Sequence, residues 1–598
     1  MDLSGVQNLP LLFFQQARKH GDKPFLWRKV EGTYKPITWA EAARQANLLS
    51  RALRARGLQT GDRVCLISEN RPEWLIADVA IMAAGGITVP AYTTNTVDDH
   101  RYIFDNSGAT AVIVSTAKLA QRVVPAASRA PSVEFLVAME PLAEPPRPPI
   151  RWASWDQMLT EGEKQADDVE QLAATRKRSD TSCVIYTSGT GGAPRGVMLS
   201  HGAILCNCQG AIEVLKPLGL ENNIFLSFLP LSHAYEHSGG QFFPISIAAQ
   251  IYYAEGADTL VQNLAEVKPT IVTAVPRLYE VMHGRIAKGL EKMPAFRRRL
   301  FERALALGRK QYEHPGTLTL RERIENKALD LLVRKKVAAR FGGRLKAFVS
   351  GGAPLNYEVG LFFTALGVRL LQGYGQTEAA PVISVNPVDR IKLHTVGPAL
   401  HGVEVKLAED GEILVRGELV MQGYWGDPEA TARTVKDGWL HTADIGRIDE
   451  DGFIEITDRK RDLIVVSGGD NVSPQKVEGF LTLEPEIAQA MVIGDKRPFI
   501  AALLIPDREW AQAWAKEKGK PEDLDRLVGD KDFRAAVSAA VDRVNRRLST
   551  IERVRQFILS PDAFSLENEM MTPTLKIRRH VIRKVYGDKL DALYEGRG

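Results

Sequence analysis

The run Ser182-Cys-Val-Ile-Tyr186 passes directly into the glycine-rich stretch Thr187-Ser-Gly-Thr-Gly-Gly-Ala-Pro-Arg-Gly196. A short apolar run closed by such a loop predicts a buried strand whose carboxyl end carries a ligand-binding loop. The glycines let backbone N–H groups approach an anion, the hydroxyl side chains donate, and Arg195 adds a positive charge. From Gly191 onward the spacing is that of a Walker loop, but Val197 stands where that motif needs Lys. Taken alone, the stretch is compatible with a polyphosphate loop or with a flexible surface turn.

Apolar runs and amphipathic segments alternate on both sides of this stretch. Before it, helices are predicted over 38–56 and 74–84, with a strand at 63–67 between them. After it, the apolar runs that predict buried strands lie at 224–229, 270–274 and 345–349. The alternation predicts an α/β fold whose ligand-binding loops lie at the carboxyl ends of the strands.

The length of 598 residues exceeds what one hydrophobic core holds, so at least two domains are expected. Residues 276–340 are predicted to form a helix-rich insertion, and about 395–458 a small β-rich subdomain. The charged stretch at 458–462 marks the predicted boundary. We therefore expect a large domain over 1–458 and a C-terminal domain over 459–598.

Six further motifs follow the glycine-rich loop in a fixed order. They are Ser350-Gly-Gly-Ala-Pro-Leu355, Gln372-Gly-Tyr-Gly-Gln-Thr-Glu378, Gly411-Glu-Ile-Leu-Val-Arg-Gly417 with Val420 to Thr431, Trp439-Leu-His-Thr-Ala-Asp444, Thr457-Asp-Arg-Lys-Arg-Asp462 and Met571-Thr-Pro-Thr-Leu-Lys576. Each motif alone is compatible with an ordinary turn, a charged linker or a basic tail. Their order and spacing over most of the chain carry the specificity.

In that order the motifs resemble those of the adenylate-forming superfamily, which contains acyl-CoA synthetases, luciferases and the adenylation domains of peptide synthetases. The resemblance implies an α/β (α+β) protein: a large N-terminal domain of two α/β subdomains plus a small β-barrel-like subdomain, followed by a small mobile C-terminal α+β domain. Three departures are visible, because Gly191 replaces a usual Thr, Arg195 a usual Lys and Ala443 a usual Gly. We expect ATP binding to be retained, since Arg keeps the charge and contacts phosphate in a bidentate way. The Ala443 methyl group is expected to matter little.

The resemblance also implies roles for individual residues. Lys576 would be the adenylation lysine, Thr377 would contact the α-phosphate, Glu378 would hold Mg²⁺, and His233 would lie near the acyl carboxylate. Arg461 would lie at the pivot of the C-terminal domain. The expected ATP- and AMP-binding residues are Thr187, Ser188, Gly189, Thr190, Gly191, Gly192, Arg195, Gly351, Gly352, Ala353, Gln372, Gly373, Tyr374, Gly375, Thr377, Asp444 and Arg459. Among them Tyr374 would stack on adenine, whereas Asp444 and Arg459 would reach the ribose.

The implied reaction converts a carboxylic acid and ATP to acyl-AMP, and then transfers the acyl group to coenzyme A. The segments 228–237 and 275–280, the helical insertion, and the Thr-Leu before Lys576 resemble the long-chain subgroup. Other interpretations stay open: a ligase for a medium-chain or aromatic acid, a ligase that loads a carrier protein, or a non-catalytic protein that binds nucleotide and fatty acid.

The charge pattern bears on partners and location. The net charge of +4 is too small for this length to indicate a nucleic-acid partner. Residues 285–346 nevertheless hold eighteen Lys or Arg against six Asp or Glu, which is compatible with a solvated face, an anionic membrane surface or a phosphate-bearing ligand. The start Met1-Asp-Leu-Ser4 lacks a signal-like pattern, and no window approaches a spanning helix. We expect a cytoplasmic protein, with association at the inner face of a membrane and a homodimeric state both left open.

Overall fold

The computed structural model describes residues 2–187, 193–256, 259–460, 463–467, 470–572 and 576–595. Its first part alternates helices and strands as follows: α1 (Leu9–His20), β1 (Pro24–Val30), β2 (Thr33–Thr38), α2 (Trp39–Ala55), β3 (Arg63–Ile67), α3 (Pro72–Ala83), β4 (Ile87–Pro90), α4 (Val97–Ser107), β5 (Ala111–Val114), α5 (Ala117–Ala127), β6 (Phe135–Ala138), β7 (Arg151–Ser154), α6 (Trp155–Glu163) and α7 (Val169–Ala174).

The middle part continues the alternation: β8 (Thr181–Thr187), β9 (Arg195–Ser200), α8 (His201–Leu215), β10 (Ile224–Ser227), α9 (Ala234–Glu236), α10 (Phe243–Ser246), β11 (Gln250–Tyr253), α11 (Leu260–Val267) and β12 (Ile271–Ala274). Four helices then follow one another, before the alternation resumes: α12 (Pro276–Glu291), α13 (Ala295–Glu313), α14 (Leu320–Leu329), α15 (Lys335–Arg340), β13 (Ala347–Ser350), α16 (Tyr357–Ala365), β14 (Leu370–Gly375) and β15 (Val382–Val385). A π-helical turn over Asp330–Arg334 joins α14 to α15.

The last part begins with short strands: β16 (Glu404–Leu407), β17 (Glu412–Arg416), β18 (Gly423–Tyr424), α17 (Pro428–Thr434), β19 (Val435–Lys436), β20 (Trp439–Ile448) and β21 (Ile454–Arg459). The C-terminal domain then contains β22 (Ile464–Val465), β23 (Asn471–Val472), α18 (Pro474–Leu481), β24 (Ile487–Ile493), β25 (Ile500–Pro506), α19 (Arg508–Glu517), α20 (Leu524–Leu527), α21 (Lys531–Asn545), β26 (Val554–Leu559) and α22 (Arg579–Asp591).

Two eight-stranded sheets form the large N-terminal domain. One has the order β18-β9-β8-β4-β3-β5-β6-β7, and the other β15-β14-β13-β12-β10-β11-β1-β2. The strands that pair within each sheet are mostly parallel, which places the loops that follow them at one edge. A single buried core joins the two sheets and includes Phe13, Trp39 and Trp74. This packing fixes the carboxyl ends of the strands that carry the predicted motifs.

The strands β16, β17, β20, β19 and β21 form a separate smaller sheet, and β24, β25 and β26 form the sheet of the C-terminal domain. Apolar clusters cover both faces of the C-terminal sheet, one including Phe533 and the other Tyr586. The C-terminal domain therefore has its own core, as expected of a unit that can move as a whole.

Candidate active site

The predicted site residues come from several chain segments that meet at one cleft. The loop after β13 contributes Gly351 and Gly352, β14 contributes Tyr374, and a 3₁₀ turn over Thr377–Ala379 follows it. The sheet of short strands adds Asp444, at the middle of β20. The cleft thus lies at the carboxyl ends of the parallel strands, where α/β sheets usually bind ligands.

Glycine at position 375 is required by a close approach of two chain segments. A Cβ atom there would lie 1.9 Å from the carbonyl oxygen of Pro381, which belongs to the backbone and cannot move aside. The chain therefore passes close to itself where β14 pairs with β15, and the 3₁₀ turn with Thr377 and Glu378 follows directly. Gly352 has a left-handed backbone, with φ +79°, which glycine adopts without strain.

Asp444 is buried and uses both carboxylate oxygens. The Tyr374 hydroxyl donates to Oδ2 at 2.6 Å, and Arg459 Nε lies 3.1 Å from Oδ1. Desolvation raises the pKa of Asp444, while the positive charge of Arg459 and the Tyr374 hydroxyl lower it. The predicted ribose-binding residues Asp444 and Arg459 are therefore adjacent, and Tyr374 is bonded to the same carboxylate.

Ala443 has a left-handed backbone, with φ +58°. A non-glycine residue in this region costs roughly 1–2 kcal/mol, because Cβ approaches the following carbonyl oxygen. Its N–H donates to Glu412 Oε1 at 2.8 Å, which holds the strained conformation. The replacement of a usual Gly by Ala443 therefore carries a cost in the backbone conformation, in addition to the volume of the methyl group.

The metal candidate Glu378 belongs to a chain of contacts that the sequence reasoning missed. The Tyr424 hydroxyl donates to Glu378 Oε1 at 2.9 Å. Arg195 lies over the Tyr424 ring at 5.4 Å, and its Nε is 3.7 Å from Asp427. Tyr424 thus links Arg195 of the glycine-rich stretch to the carboxylate of Glu378. In the sequence, only the position of Tyr424 inside the motif from Val420 to Thr431 indicated a role in the site.

Lys576 reaches the cleft from the C-terminal domain. Its pKa is lowered to about 8, because desolvation and the positive charge of Arg459 outweigh the favourable charges of Asp444 and Glu378. The residue as a whole is exposed to solvent, and the charges of Arg459, Asp444 and Glu378 act on its amino group. The structure therefore brings the predicted lysine, the predicted ribose carboxylate and the predicted metal carboxylate to one place.

His233 lies at the same cleft, at the start of α9. Desolvation and the charge of Lys576 lower its pKa to about 4, so the imidazole is neutral near pH 7. Its Nδ1 accepts from the backbone N–H of Tyr235 at 3.2 Å. That contact assigns the proton to Nε2, which is then the atom able to donate to a substrate oxygen.

Several predicted nucleotide-binding positions have features that suit a ligand. Gln372 is buried, and its Oε1 has no hydrogen-bond partner among the described residues. A buried carbonyl oxygen without a donor fits the exocyclic amino group of an adenine base. Gly351 lies against the Tyr235 ring, while Ala353 is exposed at the rim. Of the glycine-rich loop, Thr187 ends β8, whereas 188–192 lie outside the described residues, as does Arg461.

Contacts between the two domains hold Lys576 in this position. Lys288 of α12 pairs with Glu509 at 2.7 Å, and Arg547 of the C-terminal domain lies 3.4 Å from Glu358. A third contact joins Asn356 Nδ2 to the Gly479 carbonyl oxygen at 3.3 Å. Together with Arg459, these contacts orient the C-terminal domain so that its lysine lies near Asp444 and Glu378.

A lysine of the C-terminal domain near Asp444 and Glu378 of the large domain is the arrangement that the resemblance to adenylate-forming enzymes implies. The chain belongs to the AMP-binding enzyme family, because the family model matches residues 13–425 and the model of the AMP-binding enzyme C-terminal domain matches 461–598.

Known relatives cover nearly the whole chain. A long-chain-fatty-acid–CoA ligase of Mycobacterium bovis is 33% identical, over 98% of this chain and 97% of its own length. A peroxisomal long chain acyl-CoA synthetase of Arabidopsis thaliana is 30% identical, over 95% of this chain and 83% of its own length.

Solved structures show the same fold at low identity. The adenylation domain of a carboxylate reductase from Mycobacterium chelonae matches with a TM-score of 0.76 at 20% identity, over 99% of this chain and 92% of that one. The corresponding domain from Segniliparus rugosus, in complex with AMP and a co-purified carboxylic acid, gives 0.75 at 19% identity, over 99% and 94% of the two chains.

Proposed function

We propose that the chain is a long-chain fatty acid–CoA ligase. It would convert a fatty acid and ATP to acyl-AMP and pyrophosphate, and then transfer the acyl group to CoA with release of AMP. The observation that carries the proposal is the meeting of Lys576 with Asp444, Glu378 and Arg459 at the carboxyl ends of the sheet strands. The near full-length relatives that act on long-chain acids support the choice of substrate.

The first half-reaction needs charge stabilisation more than a protein nucleophile. The fatty acid carboxylate attacks the α-phosphate, and negative charge builds on the phosphoryl oxygens. Lys576 and Thr377 would hold these oxygens, and Arg195 would act on the leaving pyrophosphate. His233, neutral and donating from Nε2, would orient the acyl oxygen.

Magnesium is part of the proposal and Glu378 is its candidate ligand. Mg²⁺ is commonly bound by one or two carboxylates together with substrate phosphates, and the Glu378 carboxylate, half-buried in the cleft, suits this type of site. When bound, the ion would neutralise charge on the phosphates. Tyr424, by donating to Oε1, would fix the orientation of the carboxylate.

The second half-reaction requires CoA to reach the acyl carbonyl. The family resemblance implies that Lys576 would obstruct that approach, so we propose that the C-terminal domain rotates about the segment containing Arg461. An Arg461→Pro variant should then slow CoA transfer more than acyl-AMP formation. Equal losses in both half-reactions would contradict this position for the pivot.

An ATP/pyrophosphate exchange assay with acids of increasing chain length tests the substrate. An apolar tunnel favours each added CH₂ by roughly 0.8 kcal/mol, so exchange should become more efficient toward palmitate-like chains. An optimum at octanoate or benzoate would favour the medium-chain or aromatic alternative. No exchange with any acid would favour a binding protein without turnover, and transfer to a carrier protein but not to CoA would favour the loading ligase.

Peripheral association with a membrane also belongs to the proposal, because long-chain acids partition into bilayers. Among the helices of the described residues, none combines the length and apolar character needed to cross a membrane.

The oligomeric state, for which a homodimer is one candidate, would be measured by light scattering.

A further inference from the structure

The helical segment that follows β12 exposes its large apolar side chains to solvent. Leu320 is 75% exposed, Phe296 72%, Ile324 64% and Leu331 61%. These are the four most exposed large hydrophobic residues in the part of the chain that the structure describes. Such side chains are usually isolated on a soluble surface, so their concentration in one segment indicates an interaction surface.

Three of these residues share one helix face. Leu320 and Ile324 lie one turn apart on α14, and Leu331 follows two turns later on the π turn that continues the helix. Lys327 falls between Ile324 and Leu331 on the same face. The result is an apolar stripe with a cation within it, which we name the 320–331 stripe.

The acidic side chains of this helix are engaged elsewhere. Glu322 pairs with Lys310 at 2.9 Å and Glu325 with Arg303 at 2.8 Å, so both turn toward α13. Asp330 pairs with Arg334 within the helix. Over the described ranges, Lys327, Lys335 and Lys336 form no such ion pair. The outward side of the helix therefore combines exposed apolar groups with uncompensated positive charge.

We propose that the 320–331 stripe docks on an anionic lipid bilayer. The apolar side chains would enter the boundary between headgroups and acyl chains, while the lysines would pair with anionic headgroups. A second copy of the chain suits the stripe poorly, since a two-fold contact would place like charges close together. The choice of a lipid surface rests in part on the proposed function, because a membrane supplies long-chain acids.

Vesicle sedimentation tests this docking surface. The full chain should bind vesicles that contain phosphatidylcholine and the anionic lipid phosphatidylglycerol, and should bind vesicles of phosphatidylcholine alone only weakly. Raising the salt concentration should release the chain from the anionic vesicles. L320S/I324S/L331S and K327E/K335E/K336E should each lower binding at least tenfold. A matched control, I551S/V585S, removes exposed apolar groups of the C-terminal domain and should bind as the parent does.

The competing outcomes are separable. Absence of binding by the parent, or equal binding by all variants, would overturn the proposal. A parent dimer that L320S/I324S/L331S converts to a monomer would identify a second copy as the occupant instead. ATP/pyrophosphate exchange with a water-soluble medium-chain acid should be unchanged in every variant, and its absence in the parent would count against the proposed function, not against docking.

A different observation concerns Glu236, which is fully buried beside the candidate acyl site. Its Oε1 accepts from the Ser227 hydroxyl at 2.6 Å, and its Oε2 from the Thr273 hydroxyl at 2.9 Å. Ser227 ends β10 and Thr273 lies near the end of β12, so the carboxyl group ties α9 to two strands. A Cβ atom on Gly240 would lie 2.4 Å from the carboxyl carbon, so the neighbouring glycine leaves room for this arrangement.

We infer that Glu236 is a positioning residue that holds His233 at the acyl site. His233 is the N-cap residue of α9, and its carbonyl oxygen accepts from the His237 N–H at 3.0 Å, so it moves with the helix that Glu236 anchors. Burial raises the pKa of Glu236 to about 7, while the two hydroxyls lower it. The inference rests on the proposed role of His233 in the acyl site.

A double-mutant cycle on the adenylation half-reaction tests the inference. Glu236→Gln should lower kcat/KM for the fatty acid about tenfold, mainly by raising KM. The affinity of the variant for ATP should be unchanged. In a His233→Ala background the same change should add little, because the group through which Glu236 acts is already gone. Thr273→Val, which removes one hydroxyl, should give a smaller loss and serves if Glu236→Gln unfolds the chain.

Tyr253→Phe is the matched control, since it removes a buried hydrogen bond to Gln241 of 2.9 Å and leaves both hydroxyl groups that donate to Glu236 in place. It should leave kcat/KM unchanged even if the free energy of unfolding falls. Multiplicative losses in the double mutant, or a Glu236→Gln enzyme with parental kcat/KM, would overturn the positioning role. If the parent enzyme itself showed no exchange activity, the proposed function would be contradicted, and with it the basis of the positioning role.

Discussion

At the scale of single residues, the protonation state of Lys576 should determine how the rate of acyl-AMP formation falls at alkaline pH. With a pKa of about 8 the amino group is mostly protonated at pH 7 and neutral above pH 9. Since the protonated form stabilises the developing phosphate charge, kcat/KM for acyl-AMP formation should fall as pH rises through 8. Lys576→Arg should remove that fall, because guanidinium does not titrate there.

Removing the side chain tests the same role. Lys576→Ala should slow ATP/pyrophosphate exchange at least about 100-fold, in the range expected for a lost transition-state donor. Transfer from preformed acyl-AMP to CoA should remain near the parental rate. Similar losses in both half-reactions would mean that Lys576 acts in folding or in domain closure rather than in adenylation.

Replacing Ala443 by glycine is a further single-residue change, and it should increase the stability of the fold. Glycine relieves a left-handed conformation that costs roughly 1–2 kcal/mol, but loses about 0.5–1 kcal/mol in backbone entropy. Ala443→Gly should therefore raise the free energy of unfolding by about 0.5–1 kcal/mol in urea titrations. The control Ala306→Gly, in the exposed middle of α13, should lower it by about 1 kcal/mol. A loss at Ala443 would refute the left-handed assignment.

At the scale of elements, the turn between β14 and β15 requires a glycine at position 375, because a side chain there would clash with the backbone. Gly375→Ala would drive Cβ into the Pro381 carbonyl oxygen, so the turn must open and displace Tyr374 and Thr377. We expect loss of exchange activity of at least tenfold and a fall in melting temperature. Gly284→Ala in α12 is the matched control, because its Cβ would meet open space and should stabilise the helix by up to about 1 kcal/mol.

The regular elements were more accessible to sequence reasoning than the contacts between them. The strand at 63–67 was predicted with its observed bounds, because an apolar run between polar turns carries its own signal. The bonds from Tyr374 to Asp444 and from Tyr424 to Glu378 join residues 70 and 46 positions apart. No local pattern encodes such pairs, so the motifs supplied the residues while packing decided their partners. The left-handed backbone of Ala443 was not predicted either, because an alanine is not a usual signal for that conformation.

At the scale of the whole molecule, the domain orientation itself is a state that a few surface contacts stabilise. Lys288–Glu509 and Arg547–Glu358 link the two domains, and exposed pairs of this type contribute about 0.2–1 kcal/mol each. The proposed rotation of the C-terminal domain would separate these pairs, so breaking them should lower the population of the adenylation state. Glu509→Gln with Arg547→Gln should slow acyl-AMP formation about two- to tenfold.

The same variant separates orientation from chemistry. CoA transfer from preformed acyl-AMP should be unchanged or faster, since the competing orientation has become less stable. Glu325→Gln breaks a comparable exposed pair within the insertion, with Arg303, and should change neither half-reaction. If both half-reactions slowed together in the double variant, the contacts would support the fold of the domains rather than their orientation. High salt should imitate the variant in the parent enzyme, because it screens both pairs.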